Sequence, residues 1–343
     1  MNPQWKAIVS EEASLSLITN FAGMLDAASK KGPVPVAVAA ANVAEVIIAA
    51  SRAHEMGIIT SSFLVGNGKR IEDIASEYQL DLSGFTVVDS PDDSGAARRA
   101  MELVARGEAK VVVKGQMETS KFLKAALSRN ADLRTGRTIS HVGIFEIPDF
   151  DRLLLITDGG VVLYPTLEQK IEIIYSAIEV AERLGTVPPR VALLAAADSV
   201  ILEVPVTMEI AQIVAMKSRW EEAGAYVDGP LTLDSAISPS VAAQRGLSGP
   251  VAGRADVLVV PDVESGNIMA KGITYFAGGA MAGVVLGTRV PLIVGSRSDP
   301  VETRLACIGA GVLIASTSQR RSSAKFLLKG NRQILGSSVD LTE

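Results

Sequence analysis

Cysteine is almost missing from this chain of 343 residues, because Cys307 is the only one. A single cysteine excludes an intrachain disulfide and a cysteine-rich metal site, and it favours a reducing compartment. The first residues, MNPQWKAIVSEEAS, also lack the basic segment followed by an apolar one that marks a secretory signal. We therefore expect a cytoplasmic protein.

An excess of positive charge and a long apolar run are missing as well. The formal net charge is −5, with 33 Lys and Arg against 38 Asp and Glu, so no basic footprint for nucleic acid is predicted. The longest uncharged run, 272–288, is interrupted by glycines and falls short of the ~20 apolar residues of a membrane-spanning helix. We expect neither a nucleic-acid nor a membrane partner, while local basic clusters leave small anionic substrates open.

Three common functional signatures are absent: the GxxxxGK[ST] phosphate loop, a complete GxGxxG fingerprint and HExxH. The only two histidines, His54 and His141, have no carboxylate pattern that suggests a zinc pair, so no metal site is predicted. His141 lies in an apolar strand pattern, where we interpret it as a core histidine with satisfied hydrogen bonds. Cys307 lies inside LACIGAGVLIA and is interpreted as buried and unreactive.

Strand and helix patterns alternate along the chain. Apolar runs such as Val34–Ala39 and Lys110–Val113 indicate buried strands, and a helical pattern follows each of them. This alternation, with 48% hydrophobic but only 4% aromatic residues, predicts parallel strands joined by right-handed crossovers in an α/β fold. The length favours two such domains over one core.

The alternation breaks near residues 138–158, where TISHVGIFEI and RLLLIT are separated by a turn-rich PDFD. This pattern predicts a hairpin at the entry to a second domain. We assign residues 1–140 plus 290–343 to the first domain and residues 141–289 to the second, dimerising one. Residues 319–343 carry no interpretable motif and are expected to hold a last element of the first domain and a tail.

The chemistry-bearing residues are densest in residues 254–302. ADVLVV predicts a buried strand, and Asp262 follows it at the carboxyl end, where ligands bind in open α/β sheets. Residues 264–267 have the composition of a turn. A second predicted strand, 290–294, delivers a hydroxyl, a guanidinium and a carboxylate within four residues: Ser296, Arg297, Ser298 and Asp299.

This Ser-Arg-Ser-Asp tetrad has two interpretations, and both can hold together. It can cap the helix that begins near Pro300. It can also bind an anion, since a helix N-terminus and the bidentate guanidinium of Arg297 both suit phosphate. Lys114 and Gly115 end another strand just before a helix, where an anion site and a solvent-facing lysine are equal alternatives.

Five segments, which occur along the chain in the same order as in the family, resemble the phosphate acetyl/butyryltransferases. They are GPVAGRADVLVVPDVESGNIMAK (249–271), GPLTLDSAI (229–237), TDGGVVLYPTLEQ (157–169), VKGQMETSKFLKAAL (113–127) and VPLIVGSRSDP (290–300). The resemblance implies two three-layer α/β/α domains with mainly parallel sheets, an active-site cleft between them, and commonly a homodimer or higher homo-oligomer.

The resemblance also implies a reaction: acyl-CoA and inorganic phosphate exchange with acyl phosphate and CoA in a ternary complex, without a metal or a bound cofactor. A carboxylate deprotonates the CoA thiol, and the thiolate attacks the acyl phosphate carbonyl. The run LRTGRTISHVGIFEIP and Lys114-Gly115 look more like butyryltransferase-type members, which favours butyryl over acetyl.

The site residues follow from the same resemblance. Ser296 looks like the serine that donates a hydrogen bond to the developing oxyanion, and Arg297 like the arginine that neutralises phosphate or CoA. Acetyltransferase-type members place the catalytic aspartate at the position of Thr303, so Glu302 and Asp299 are the two candidates for the base here. The expected phosphate- or CoA-binding residues are Lys114, Gly115, Lys124, Arg137, Asn267 and Lys271, with Arg134 beside Arg137.

Two alternatives stay open. Lys124 replaces an arginine of acetyltransferase-type members and lacks its bidentate fork, so a non-catalytic CoA- or anion-binding protein of the same fold is one alternative. The other is a metal-dependent hydroxyacid dehydrogenase-decarboxylase, which needs clustered aspartates as ligands. Only Asp256 and Asp262, on and just after one predicted strand, approach that pattern.

Overall fold

The computed structural model describes residues 16–315. In chain order, the helices and strands of the first part are α1 (Phe21–Lys31), β1 (Val36–Ala39), α2 (Ala44–Glu55), β2 (Ser62–Gly66), α3 (Gly68–Glu77), β3 (Phe85–Asp89), α4 (Asp93–Ala105), β4 (Val111–Lys114) and α5 (Thr119–Ala126). Those of the second part are β5 (Ser140–Glu146), β6 (Leu154–Thr157), α6 (Leu167–Arg183), β7 (Arg190–Leu194), α7 (Pro205–Val214), α8 (Lys217–Ala223), β8 (Tyr226–Leu231), α9 (Leu233–Ile237), α10 (Pro239–Gln244), β9 (Val257–Val259), α11 (Val263–Phe276), β10 (Ala280–Leu286), β11 (Leu292–Ile293) and α12 (Val301–Ala315).

The eleven strands of the described chain form one sheet in the order β3-β2-β1-β4-β11-β10-β5-β6-β9-β7-β8. The first five of these pair in parallel, and so do the last four. The predicted hairpin is confirmed, because β5 and β6 pair antiparallel. The predicted α/β class with a mainly parallel sheet is therefore confirmed.

The two parallel groups of strands run in opposite directions. β10 is antiparallel to β11, β5 is antiparallel to β10, and β6 is antiparallel to β5, so the direction reverses three times across the centre. The carboxyl ends of the two groups therefore lie at opposite edges of the sheet. Asp262, after β9, and the tetrad, after β11, consequently belong to different edges.

The segments assigned to two domains occupy contiguous halves of this sheet. The strands of residues 1–140 and 290–343 lie on one side, and those of residues 141–289 on the other. The halves meet where β10 pairs with β11 through Val284–Ile293 and Val285–Leu292. The division into two domains stays a prediction, and the last element expected in residues 319–343 lies outside the described residues.

Helices cover both faces of the first half. Val38 and Val113 of the sheet pack in one apolar cluster with Ile47 of α2, while their neighbours Ala37 and Val112 pack on the other face with residues of α4 and α5. These strands are buried on both faces, which explains their continuous apolar sequence. Within residues 16–315, no helix is both long and apolar enough to cross a membrane.

Residues 264–267 form part of a helix, so the turn expected there is wrong. The Asp262 side chain accepts a hydrogen bond from the Ser265 N–H at 2.9 Å, and this cap begins α11 at Val263. Gly266 serves close packing, since a Cβ at this position would lie 2.6 Å from the Cα of Gly159. The composition suggested a turn because a capped helix start uses the same residue types.

Candidate active site

The Ser-Arg-Ser-Asp tetrad forms a closed turn that leads into α12. The Ser296 N–H donates to Asp299 Oδ2 at 2.6 Å, and the Asp299 N–H donates back to the Ser296 carbonyl at 3.2 Å. The hydroxyls of Ser296 and Ser298 lie 3.0 Å apart. Arg297 and Ser298 are exposed, so the turn presents a hydroxyl and a guanidinium to solvent.

Arg304 lies directly beneath this turn, although it was not among the predicted site residues. Its Nε donates to the Asp299 carbonyl at 3.0 Å, and its Nη2 donates to the carbonyls of Arg297 (2.9 Å) and Ser296 (3.3 Å). Arg304 is only 6% exposed. The sequence holds a signal for it, because helical spacing places Arg304 on the same face as the apolar Cys307 and Ile308.

Lys114 is buried at the carboxyl end of β4, with 2% of its surface exposed, so the solvent-facing alternative is wrong. Its Nζ donates to the Met117 carbonyl at 3.0 Å. Burial, with a smaller contribution from the charge of Arg304, lowers the pKa of Lys114 from 10.5 to about 8. Gly115 lets this strand end approach β1, because a Cβ there would overlap the Ala40 carbonyl.

Charged side chains from both halves of the sheet act on the Asp299 carboxylate. Burial raises the pKa of Asp299, while the Ser296 N–H and the charges of Arg304, Lys271 and Lys114 act in the opposite direction. Lys271 belongs to α11 of the second half. Asn267 is exposed one turn earlier on that helix, and the i, i+4 spacing places it on the same face.

Within residues 16–315, three other predicted site residues have no hydrogen bond or ion pair with the tetrad. Glu302 is exposed and forms an ion pair with Arg52 of α2 at 3.2 Å. Lys124 is exposed on α5. Arg137 lines a different cleft, of about 650 Å³, and donates to Glu179 at 3.3 Å.

A protein-family model described as phosphate acetyl/butaryl transferase matches residues 93–309, more than half of the chain. The chain belongs to this family. It is 37% identical over 299 residues to a phosphate butyryltransferase of Clostridium acetobutylicum, which covers 87% of this chain and 99% of the relative. It is 38% identical over 276 residues to a phosphate acetyltransferase of Rhizobium meliloti, covering 80% and 86% respectively.

A solved structure is similar over most of this chain. The branched-chain phosphotransacylase from Enterococcus faecalis V583 has a TM-score of 0.72 and 29% identity to this chain, covering 82% of this chain and 99% of that one. The family predicted from the five sequence segments is thereby confirmed.

In this member of the phosphate acetyl/butaryl transferase family, Cys307 and His141 are both buried. Cys307 is buried, as expected; burial raises the pKa of its thiol to about 12, and the Gly283 N–H donates to Sγ at 3.4 Å. His141 is 9% exposed, but its Nδ1 has no hydrogen-bond partner within residues 16–315, so the expectation of a satisfied histidine is wrong. Burial lowers the pKa of His141.

Asp256 and Asp262, the two aspartates considered as metal ligands for the dehydrogenase alternative, form other interactions. Asp256 accepts two hydrogen bonds from the Arg190 guanidinium, at 2.6 and 2.8 Å. Asp262 caps α11. In the part of the chain that the structure describes, no three His, Cys, Asp or Glu residues are grouped as metal ligands. These aspartates therefore have structural roles in this family member.

Proposed function

We propose that this chain catalyses the reversible transfer of a short acyl group between CoA and inorganic phosphate in a ternary complex. The observation that carries the proposal is a group of cationic side chains near Asp299: the charges of Arg304, Lys271 and Lys114 act on its carboxylate, and that of Arg297 acts on Lys114. This excess of positive charge suits two anionic substrates bound side by side. The similar butyryl and acetyl enzymes support both acyl groups, and the sequence motifs favour butyryl.

The mechanism that fits the turn begins with the CoA thiol. Because the pKa of a thiol is ~8.5, this group needs only modest help from a base to lose its proton. Asp299 accepts the thiol proton, and its raised pKa suits this role because a base works best near the operating pH. The thiolate then attacks the carbonyl carbon of acyl phosphate. Ser296 donates to the oxyanion that forms, and Arg297 neutralises the phosphate that leaves as the carbon–oxygen bond breaks.

Asp299 is a better candidate for the base than Glu302. Asp299 is half-buried among the cations, whereas Glu302 is exposed and paired with Arg52. An exposed ion pair of this kind contributes about 0–1 kcal/mol to stability. In this proposal Asn267 and Lys271 contact the substrates from α11, while Lys124 and Arg137 have no direct role.

The test compares Asp299→Asn with Glu302→Gln, two changes that each remove one negative charge. The asparagine can still accept from the Ser296 N–H, so the turn is preserved. We expect kcat to fall about 100-fold in Asp299→Asn, the typical contribution of a general base, and about twofold at most in Glu302→Gln. Steady-state rates of thiol consumption with acyl phosphate measure both, and a larger loss in Glu302→Gln would overturn the assignment.

We also propose that the protein is a homodimer in the cytoplasm. Helix α11 exposes Ile268 (71%), Tyr275 (73%) and Phe276 (94%), and Ile268 and Tyr275 share one face of the helix. Large apolar side chains grouped on a surface mark contact sites between proteins. The cytoplasmic location rests on the single, buried cysteine and is checked by cell fractionation.

A further inference from the structure

Arg304 makes an unusual set of hydrogen bonds for a buried guanidinium. Its partners are three main-chain carbonyls of one turn, those of Ser296, Arg297 and Asp299, and not the two oxygens of a carboxylate. The guanidinium is buried, whereas the residues above it are exposed. The carbonyls of the turn therefore point inward, toward the protein.

This orientation fixes where the neighbouring N–H groups point. In a planar trans peptide, the C=O of one residue and the N–H of the next point in opposite directions. Because the Ser296 and Arg297 carbonyls face Arg304, the N–H groups of Arg297 and Ser298 face away from it, toward the exposed side of the turn. Within residues 16–315, the Arg297 N–H has no hydrogen-bond partner, and the Ser298 N–H donates only one long hydrogen bond, to the Ser296 hydroxyl at 3.4 Å.

Two adjacent N–H groups that point the same way form a concave site for an anion. We propose that Arg304 is a positioning residue that holds the N–H groups of Arg297 and Ser298 as donors to the phosphate oxygens of the substrate. The proposal rests on the proposed function and adds to it the residue that shapes the phosphate site.

Replacing Arg304 by lysine would keep the positive charge but lose hydrogen bonds to the turn. The guanidinium is a planar fork with donors in fixed directions, whereas the ammonium of lysine is a single point charge. Arg304→Lys therefore keeps the positive charge near Asp299 but loses the simultaneous bonds to three carbonyls. The change separates the positioning of the turn from the electrostatics of the cluster.

The test is amide hydrogen exchange of peptides that cover residues 295–301, measured by mass spectrometry with and without inorganic phosphate. Arg190→Lys is the matched control, because it removes the fork that Arg190 makes with Asp256 in the other half of the sheet. We expect phosphate to slow exchange in the wild-type protein and in Arg190→Lys, and this slowing to be lost in Arg304→Lys. In turnover assays, Arg304→Lys should lower kcat about tenfold or more, the order expected for misplaced oxyanion or phosphate donors.

Each outcome has a definite meaning. Phosphate-dependent slowing in the wild type without any turnover would overturn the proposed function and leave the role of Arg304 intact. No slowing in the wild type, or slowing that persists in Arg304→Lys, would overturn the role of Arg304. Equal losses in Arg304→Lys and Arg190→Lys would show a general structural effect and would overturn it as well.

Discussion

At the scale of single residues, Lys114 shows how burial changes the chemistry of a side chain. Its pKa falls from 10.5 to about 8, so the folded protein holds this proton less tightly than the unfolded chain does. Stability linked to this group therefore increases as the pH rises from about 8 toward 10.5, because the cost of burying the charge disappears. The same deprotonation removes one positive charge from the site.

This titration predicts a pH dependence of phosphate binding. With saturating butyryl-CoA and no free thiol, the KM for phosphate should rise as the pH passes about 8. In Lys114→Met the KM should be higher at pH 7 and change less at higher pH. Of the groups that act on Lys114, Arg304 and Arg297 favour the uncharged lysine and Asp299 favours the charged one, while burial raises the pKa of the Cys307 thiol to about 12. A wild-type KM that stays constant up to pH 9 would contradict the role of this charge.

The proposed reacting residues are easier to predict from the sequence than the residue that we propose holds them in place. Ser296, Arg297 and Asp299 lie in one short polar segment between apolar runs, so they were predicted as a unit. Arg304 was missed although its helical spacing with Cys307 and Ile308 indicates burial, because residue types do not show that it binds main-chain carbonyls. Glu302 and Asp299 were equal candidates until the structure placed Glu302 against Arg52 and Asp299 among the cations.

At the scale of elements, α11 carries Lys271 to the site from the opposite edge of the sheet. The helix begins at its Asp262 cap, and Lys271 follows after about 13 Å of helix at ~1.5 Å per residue. Its path along the sheet depends on the close contact between Gly266 and Gly159. The composition of this segment indicated a turn, so its contribution to the site could be predicted only by resemblance.

Removing the cap of α11 should therefore affect both stability and activity. Asp262→Ala loses the bond to the Ser265 N–H, and Asp92→Ala is its matched control because Asp92 caps α4 through the Gly95 N–H at 2.8 Å. Each change should lower the free energy of unfolding by about 0.5–2 kcal/mol. Only Asp262→Ala should also raise the KM for CoA or phosphate. Denaturant unfolding and steady-state kinetics measure both, and equal kinetic effects would contradict the role of α11.

At the scale of the whole molecule, one sheet contains two parallel groups of opposite direction. Alternating strand and helix patterns predicted the parallel groups, and the break near residues 138–158 predicted where the second begins. The reversal could not be predicted, because it depends on the late strands β10 and β11 returning to the centre of the sheet. This return places the tetrad and α11 on either side of one cluster.

The exposed apolar face of α11 predicts association of two chains. Ile268→Glu should shift the protein from dimer toward monomer, since it places a charge in the proposed contact. Tyr78→Glu is the control, because Tyr78 is also exposed but lies at the end of α3 in the first half. Sedimentation velocity measures the mass of each variant. A wild-type protein that is monomeric at all concentrations tested would contradict the proposed dimer.

The most direct test of phosphate acyl transfer at the tetrad is thiol release from butyryl-CoA and acetyl-CoA as the phosphate concentration is varied. Ser296→Ala is compared with Ser298→Ala, which removes the neighbouring hydroxyl 3.0 Å away. We predict wild-type turnover that saturates with phosphate, a loss of about 100-fold in Ser296→Ala, and a much smaller loss in Ser298→Ala. Thiol release that is absent or independent of phosphate, or full activity in Ser296→Ala, would contradict the account.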